Sequence, residues 1–153
     1  MSAEAKIIEL GLELPPAPKP GGNYTPVVQI DDLCYVSGHG PLTVEKTLLT
    51  GRVGSEVTQE EGYAAARQVG LTMLATLKQY LGSLDRVQRM IKVLGMVNAA
   101  PDFQNHPQVM NGFSDLMVEV FGDNGRAARS AVGMGSLPGN ISVEVEAIVQ
   151  VSE

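Results

Sequence analysis

The sequence predicts an α+β fold in which two amphipathic helices cover one face of a β-sheet. Three observations support this prediction: short β-branched runs early in the chain, two long stretches of helical periodicity, and strict alternation of apolar and polar residues near the end. The elements follow the order β-β-α-β-α-β-β. Because 153 residues suit one hydrophobic core, we expect a single domain over residues 1–153.

A lead-in rich in proline and glycine precedes the first strands. Residues 15–22 (PPAPKPGG) cannot hold a regular helix, and we expect residues 1–22 to be extended. Two apolar runs follow, Val27–Ile30 and Leu33–Ser37, separated by Asp31-Asp32. This pattern is typical of a tight β-hairpin.

Two later stretches show the period of an α-helix. The first follows Thr58, which forms a capping-box pattern with Glu61, and it is expected to end near Gly82. The second has Pro107 in its first turn and ends at the glycine-rich run 122–125. The apolar stripes of both helices should pack on the sheet.

Three further strands are predicted. The run 87–98 has strand composition, and Gly95 within it suggests a bulge. The run 128–134 is joined by a Pro-Gly turn to the alternating run 141–151. If that turn gives a simple hairpin, Arg129 lies opposite about residue 148.

The second face of the sheet should also carry apolar groups. Ile148, Ala131 and Val36 are expected there, and burying them requires another layer. A homo-oligomer would supply that layer.

Charge and composition restrict the class of protein. The net charge of −6 repels phosphate backbones, which argues against nucleic acid as a main partner. One cysteine, Cys34, and two histidines leave no disulfide and little for a metal site. The sequence has neither a signal-peptide pattern nor an apolar run long enough to span a membrane, so we expect no membrane association and a cytoplasmic location.

Several short motifs occur together and in a fixed order. They are Gly22-Asn23-Tyr24, Tyr35-Val36-Ser37-Gly38-His39-Gly40-Pro41, Ala128-Arg129-Ser130, Leu137-Pro138-Gly139 and Val143-Glu144-Val145-Glu146-Ala147. In these motifs the chain resembles the RidA family, also called YjgF/YER057c/UK114 or endoribonuclease L-PSP. The resemblance implies a chorismate-mutase-like homotrimer with sites at the subunit clefts. It also implies hydrolysis of 2-imino or 2-enamino acids to 2-oxo acids and ammonia, without a metal or organic cofactor.

Arg129 is the first candidate site residue. It stands in a predicted central strand with apolar neighbours, where an unpaired guanidinium is costly, so it needs an anion. The residues alone leave two alternatives open: an internal ion pair with Glu144 or Glu146, or binding of a ligand. The resemblance implies that Arg129 binds the substrate carboxylate, for which its planar fork is suited.

The resemblance also implies roles for other residues. Glu144 would orient the attacking water, although it could equally be a solvated surface carboxylate. Tyr24, Ser37 and Asn111 would line the substrate pocket. Taken alone, Tyr24 could be a rim aromatic, Ser37 a turn former and Asn111 a helix-surface residue.

Two positions depart from the family pattern. His39 stands where relatives commonly have glutamine; it could do acid–base work, or simply hydrogen-bond within the loop. Ala131 stands where relatives often have cysteine, and it would contribute only its backbone carbonyl to the pocket. The segment 45–56 is also longer than in compact relatives.

Three functions from different classes are compatible with the sequence. The leading hypothesis is an imine or enamine deaminase, in which Arg129 holds the carboxylate and Glu144 places the water. The second is a non-catalytic trimer that binds small carboxylates. The third is an endoribonuclease, against which the negative charge and the lack of a basic stripe argue.

Overall fold

The structure, a computed structural model, describes all 153 residues. Its elements are α1 (Ala3–Glu9), β1 (Val27–Ile30), β2 (Leu33–His39), α2 (Gln59–Leu81), β3 (Val87–Asn98), α3 (His106–Phe121), β4 (Ala128–Met134) and β5 (Val143–Val151). The predicted order of five strands and two long helices is confirmed, and α1 is an additional element. No helix combines the length and the apolar character needed to cross a lipid bilayer.

Helix α1 corrects the expectation that residues 1–22 are extended. Ser2 caps this helix, because its side chain accepts a hydrogen bond from a first-turn amide, and Ile7 is buried in the core. The proline-rich segment begins only at Pro15, so it does not exclude a short helix before it. Residues 12–20 have no regular secondary structure, as expected.

Helices α2 and α3 pack against each other and against the same face of the sheet. The predicted capping box of α2 is present: the Thr58 hydroxyl accepts from the Glu61 amide at 3.1 Å, and the Glu61 carboxylate accepts from the Thr58 amide at 2.8 Å. The two helices approach closely at Gly112. A side chain there would collide with the backbone carbonyl of Tyr63, so glycine is required at this contact.

The sheet has the strand order β1-β2-β5-β3-β4, in which only β3 and β4 are parallel. The expected hairpin between β4 and β5 is therefore wrong, and Arg129 lies opposite Val93 of β3 rather than residue 148. The reason is that β3, α3 and β4 form a crossover unit, whose two strands run parallel. Strand β5, buried along one whole face, takes the central position and leaves β4 at an edge.

Gly95 does not form the expected bulge. The ladder between β3 and β5 is irregular between Val87 and Arg89 and again between Met90 and Lys92, but it is regular at Gly95. The space beside Gly95 is instead filled by the side chain of Met110 from α3. This glycine therefore lets helix α3 pack closely on the sheet.

The sheet face opposite the helices, called the open face below, is uncovered within one chain. The alternation in β5 is confirmed, since Glu144, Glu146 and Ile148 lie on this face and the residues between them are buried. Val36 and Ala131 do not lie there as expected; their strand positions place both against the helices. The exposed apolar side chains of the open face are Val28, Ile30, Tyr35 and Val132.

Candidate functional site

Arg129 lies on the edge strand β4, which corrects the expectation of a central strand, and its side chain is directed toward helix α3. Its Nη1 donates hydrogen bonds to Asn111 Oδ1 at 2.9 Å and to Ser114 Oγ at 3.1 Å. Arg129 forms no ion pair in the chain, so the alternative of an internal pair with Glu144 or Glu146 is not realised. We call Arg129, Asn111 and Ser114 the guanidinium cluster. It holds a half-buried cation whose polar partners are both neutral.

Glu144 lies on the open face, where β2 and β5 lose register. The pairing shifts between Val36 and His39, and the Glu144 carboxylate lies over Gly38, so a side chain at that position would have to displace the carboxylate. Partial burial raises the pKa of Glu144 above the usual range, and the nearby charge of Glu146 raises it further. The carboxylate is therefore a stronger base than a solvated glutamate.

Tyr24 and Ser37 lie close to Gly38. Tyr24 and Gly38 line the same small hollow of ≈ 120 Å³, and the Tyr24 hydroxyl accepts a hydrogen bond from the Gly21 amide at 3.2 Å. The Ser37 hydroxyl donates to the carbonyl of Thr25 at 2.7 Å. We call Glu144, Gly38, Tyr24 and Ser37 the carboxylate cluster.

His39 also lines the hollow beside Tyr24 and Gly38, but its imidazole bonds to helix α2 and not to the carboxylate cluster. Its imidazole is buried between β2 and α2, with Nδ1 at 2.6 Å from the carbonyl of Ser37 and Nε2 at 2.8 Å from the hydroxyl of Thr76. A carbonyl only accepts, so Nδ1 carries the proton and Nε2 accepts from Thr76. Burial lowers the pKa of His39, which favours this neutral form. The side chain is oriented into the core, and we do not assign it to the site.

Replacing His39 with alanine should destabilise the fold. The change leaves the Ser37 carbonyl and the Thr76 hydroxyl without their partner and opens a cavity, so the free energy of unfolding should fall by about 2–4 kcal/mol. Urea unfolding at neutral pH measures this change. The matched control is His106→Ala, because His106 is only half-buried and makes an edge contact with Phe103. Equal losses from both variants would contradict the structural role of His39.

The burial of His39 also predicts that the free energy of unfolding depends on pH. Because the pKa of His39 is lowered in the folded state, protons bind first to the unfolded chain, whose histidine has a pKa near 6.5. The stability contributed by neutral His39 is fully present above that value and is lost as the pH falls toward the folded-state pKa. The difference in unfolding free energy between wild type and His39→Ala should therefore shrink as the solution is acidified.

The remaining predicted residue is Ala131. It lies two positions after Arg129 on the same side of β4 and packs against the core. Two residues that the sequence analysis missed complete the clusters, Ser114 and Gly38. Ser114 could have been found, because a residue three positions after Asn111 lies on the same helix face. The contact between Gly38 and the Glu144 carboxylate joins two strands that are distant in the sequence and has no local signal.

The guanidinium and carboxylate clusters do not meet within one chain. Glu144 is aligned through Met96 of β3 with Val132, three residues beyond Arg129. Two strand spacings and three residue steps put the Arg129 and Glu144 Cα atoms about 14 Å apart. Their side chains also lie on opposite faces of the sheet. A small ligand therefore cannot touch both clusters of one chain.

No group of three or more histidine, cysteine, aspartate or glutamate side chains is arranged to hold a metal ion. The ionisable residues of the two clusters are Arg129, Glu144 and Tyr24.

Comparisons with known proteins agree on the family. A family model described as "YjgF/chorismate_mutase-like, putative endoribonuclease" matches residues 4–149. Protein TCP17 of Trypanosoma cruzi is 40% identical over 149 residues, covering 97% of this chain and 93% of TCP17. A 2-iminobutanoate/2-iminopropanoate deaminase of Dermatophagoides farinae is 30% identical over 139 residues, covering 90% of this chain and 93% of the mite protein.

One solved structure is similar to this chain over almost the whole length of the chain. The crystal structure of a putative endoribonuclease from Shewanella oneidensis has 32% identity and a TM-score of 0.94, and the match covers 99% of this chain and 100% of the other. The fold and the two clusters thus define an α+β protein of the chorismate-mutase-like class with a guanidinium at a sheet edge and a carboxylate on the open face. The chain belongs to the YjgF/RidA family.

Proposed function

We propose that the protein hydrolyses 2-imino or 2-enamino acids to 2-oxo acids and ammonia. The observation that carries the proposal is the Arg129 guanidinium, which is half-buried, held by two neutral side chains and without an anion in its own chain. A small carboxylate would neutralise it through charge-assisted hydrogen bonds. The similarity to the mite 2-iminobutanoate/2-iminopropanoate deaminase supports the choice of an imino acid as the carrier of that carboxylate.

The proposed reaction needs two protein groups. Arg129 of one copy holds the carboxylate, and Glu144 of a neighbouring copy positions a water against C2 of the protonated imine. Glu144 takes a proton from this water as the C2–O bond forms, and then passes the proton to the nitrogen. The C2–N bond breaks, its electron pair leaves with ammonia, and the proton lost from the new hydroxyl gives a 2-oxo acid and ammonium. The raised pKa of Glu144 suits both proton transfers.

We also propose that the active form is a homotrimer. The open face exposes four apolar side chains, two of which, Val28 and Tyr35, line a hollow of ≈ 440 Å³, and strand β4 leaves an unpaired edge. A neighbouring copy would cover these surfaces. It would also bring a guanidinium cluster to a carboxylate cluster, which a single chain cannot do.

Replacing Tyr35 with glutamate should dissociate the trimer. Tyr35 is 44% exposed and lines the hollow of the open face, and a buried unpaired carboxylate there would be costly. Light scattering after size exclusion should give three times 16.2 kDa for the wild type and a single chain's mass for the variant, with loss of imine hydrolysis.

Tyr80→Glu is the control for this experiment. Tyr80 is 46% exposed, nearly the same fraction, but it lies on helix α2. It should leave both the mass and the activity unchanged. A monomeric wild type, or a trimer that survives Tyr35→Glu, would overturn the proposed assembly.

The proposed function is tested by generating imines directly. An amino-acid oxidase with catalase, and separately a threonine dehydratase, supplies short-lived imino acids, and the release of 2-oxo acid is followed with and without the protein. Faster release supports the proposal. Binding of 2-oxobutanoate without any acceleration would instead identify a non-catalytic carboxylate binder.

RNA cleavage is the alternative raised by the printed names of the family and the Shewanella protein. A net charge of −6 disfavours binding of a phosphate backbone. The same preparation should leave single-stranded RNA intact. RNA cleavage by the wild type that disappears in Arg129→Ala would replace the hydrolase proposal.

A further inference from the structure

We propose that Ser114 is a positioning residue that fixes which edge of the Arg129 guanidinium meets the substrate carboxylate. The inference rests on the proposed role of Arg129 as the carboxylate-binding residue. It adds a residue that the sequence motifs do not include and a geometric reason for its effect.

The spacing of helix α3 brings two acceptors to one nitrogen. Asn111 and Ser114 are three residues apart, so their side chains lie on the same helix face, toward β4. Both accept from Nη1 of Arg129, at 2.9 Å and 3.1 Å. Nη1 has two hydrogens, and these two bonds use both of them.

The remaining donors then form a single edge. A guanidinium has five N–H groups, so Nε–H and the two hydrogens of Nη2 remain. Neither nitrogen has a hydrogen-bond partner in the chain, and neither belongs to the buried polar atoms without a partner. Both therefore reach solvent. Nε–H and one Nη2 hydrogen point in parallel, which matches the two oxygens of one planar carboxylate.

Two anchors hold the guanidinium better than one. With Asn111 alone, the group could rotate about the single hydrogen bond and present either edge to the cleft. Ser114 binds the second Nη1 hydrogen and so prevents that rotation. The guanidinium of Arg129 is therefore held in one orientation before the ligand binds, which lowers the entropic cost of binding.

The test uses Ser114→Ala, Ser114→Thr and a control on the same helix. Ser114→Ala should raise the KM for imine hydrolysis, and the Kd for 2-oxobutanoate, by about three- to tenfold while kcat changes less than twofold. Ser114→Thr keeps the hydroxyl and should restore both constants. Asp115→Asn is the control, because Asp115 bonds Tyr63 rather than Arg129, and it should leave both constants unchanged.

Coupling to Arg129 separates positioning from a general effect on the helix. In an Arg129→Ala background, Ser114→Ala should change kcat/KM by less than about 1.5-fold, because the group it positions is gone. A Ser114→Ala protein that binds 2-oxobutanoate like the wild type would overturn the inference. So would an equal loss of kcat/KM in both backgrounds.

The failures of the two proposals can be told apart. A wild type that binds 2-oxobutanoate but hydrolyses no imine refutes the deaminase, and the Kd comparison still tests Ser114. A wild type that neither binds nor hydrolyses refutes both, since no carboxylate then meets Arg129. Normal hydrolysis with unchanged constants in Ser114→Ala refutes only the positioning role.

Discussion

Arg129→Ala should lower kcat/KM for imine hydrolysis by about a hundredfold relative to the wild type. The substitution removes the edge formed by Nε and Nη2 and leaves the substrate carboxylate without a cation in a partly buried cleft. Most of the loss should be in KM, because Arg129 binds a group that carries the same charge before and during the reaction. Initial rates at several concentrations of an oxidase-generated imine measure both constants.

Arg126→Ala is the matched control for this variant. Arg126 lies three residues earlier, is exposed, and makes only a long surface ion pair with Asp123 at 3.7 Å. Removing it changes the net charge equally but should leave kcat/KM within about twofold of the wild type, since exposed pairs contribute little. Equal losses from the two variants would indicate a general charge effect and would contradict a specific role for Arg129.

Local patterns in the sequence predict most of the fold. The Thr58/Glu61 capping box gives the start of α2 correctly because both hydrogen bonds join residues of one turn. The alternation in β5 likewise gives its buried face, since the side chains of a strand point to opposite sides in turn. These signals lie within a few residues, so no knowledge of distant contacts is needed to read them.

Strand order and the pairing of β4 depend on distant contacts. The short turn at 138–140 suggested a hairpin, whereas the helix between β3 and β4 implies parallel pairing. The crossover rule predicts the observed parallel pairing of β3 and β4, because a helical connection of this length returns the chain to the same end of the sheet. The hairpin register also predicts the wrong face for Ala131, because it pairs β4 with β5 instead of β3.

The candidate site also depends on distant contacts that local sequence patterns do not reveal. The apolar neighbours of Arg129 predict that it needs an anion, whereas its partners within the chain are neutral. These acceptors on α3 cannot be chosen without knowing that this helix packs beside β4. From the sequence, His39 is compatible with either acid–base work or a hydrogen bond within its loop. Its bond to Thr76, 37 residues away, places it in the core instead.

Replacing Glu144 with glutamine should reduce kcat for imine hydrolysis by about a hundredfold while KM changes little. Glutamine keeps the shape of the side chain over Gly38 but cannot take a proton from water. Binding of 2-oxobutanoate should persist, because the carboxylate contact is made by Arg129. Full kcat in Glu144→Gln would remove Glu144 from the mechanism.

The pH dependence of kcat tests the role of Glu144 in a second, independent way. Hydrolysis needs the ionised carboxylate, so kcat should fall as the pH drops through the pKa of Glu144, which burial and the charge of Glu146 raise. Glu146→Gln removes the second of these causes and should move the acid limb of the profile to lower pH without abolishing activity. Removing a neighbouring negative charge can only lower the pKa of a nearby carboxyl group. An acid limb that stays in place or moves to higher pH would therefore show that a group other than Glu144 controls the rate.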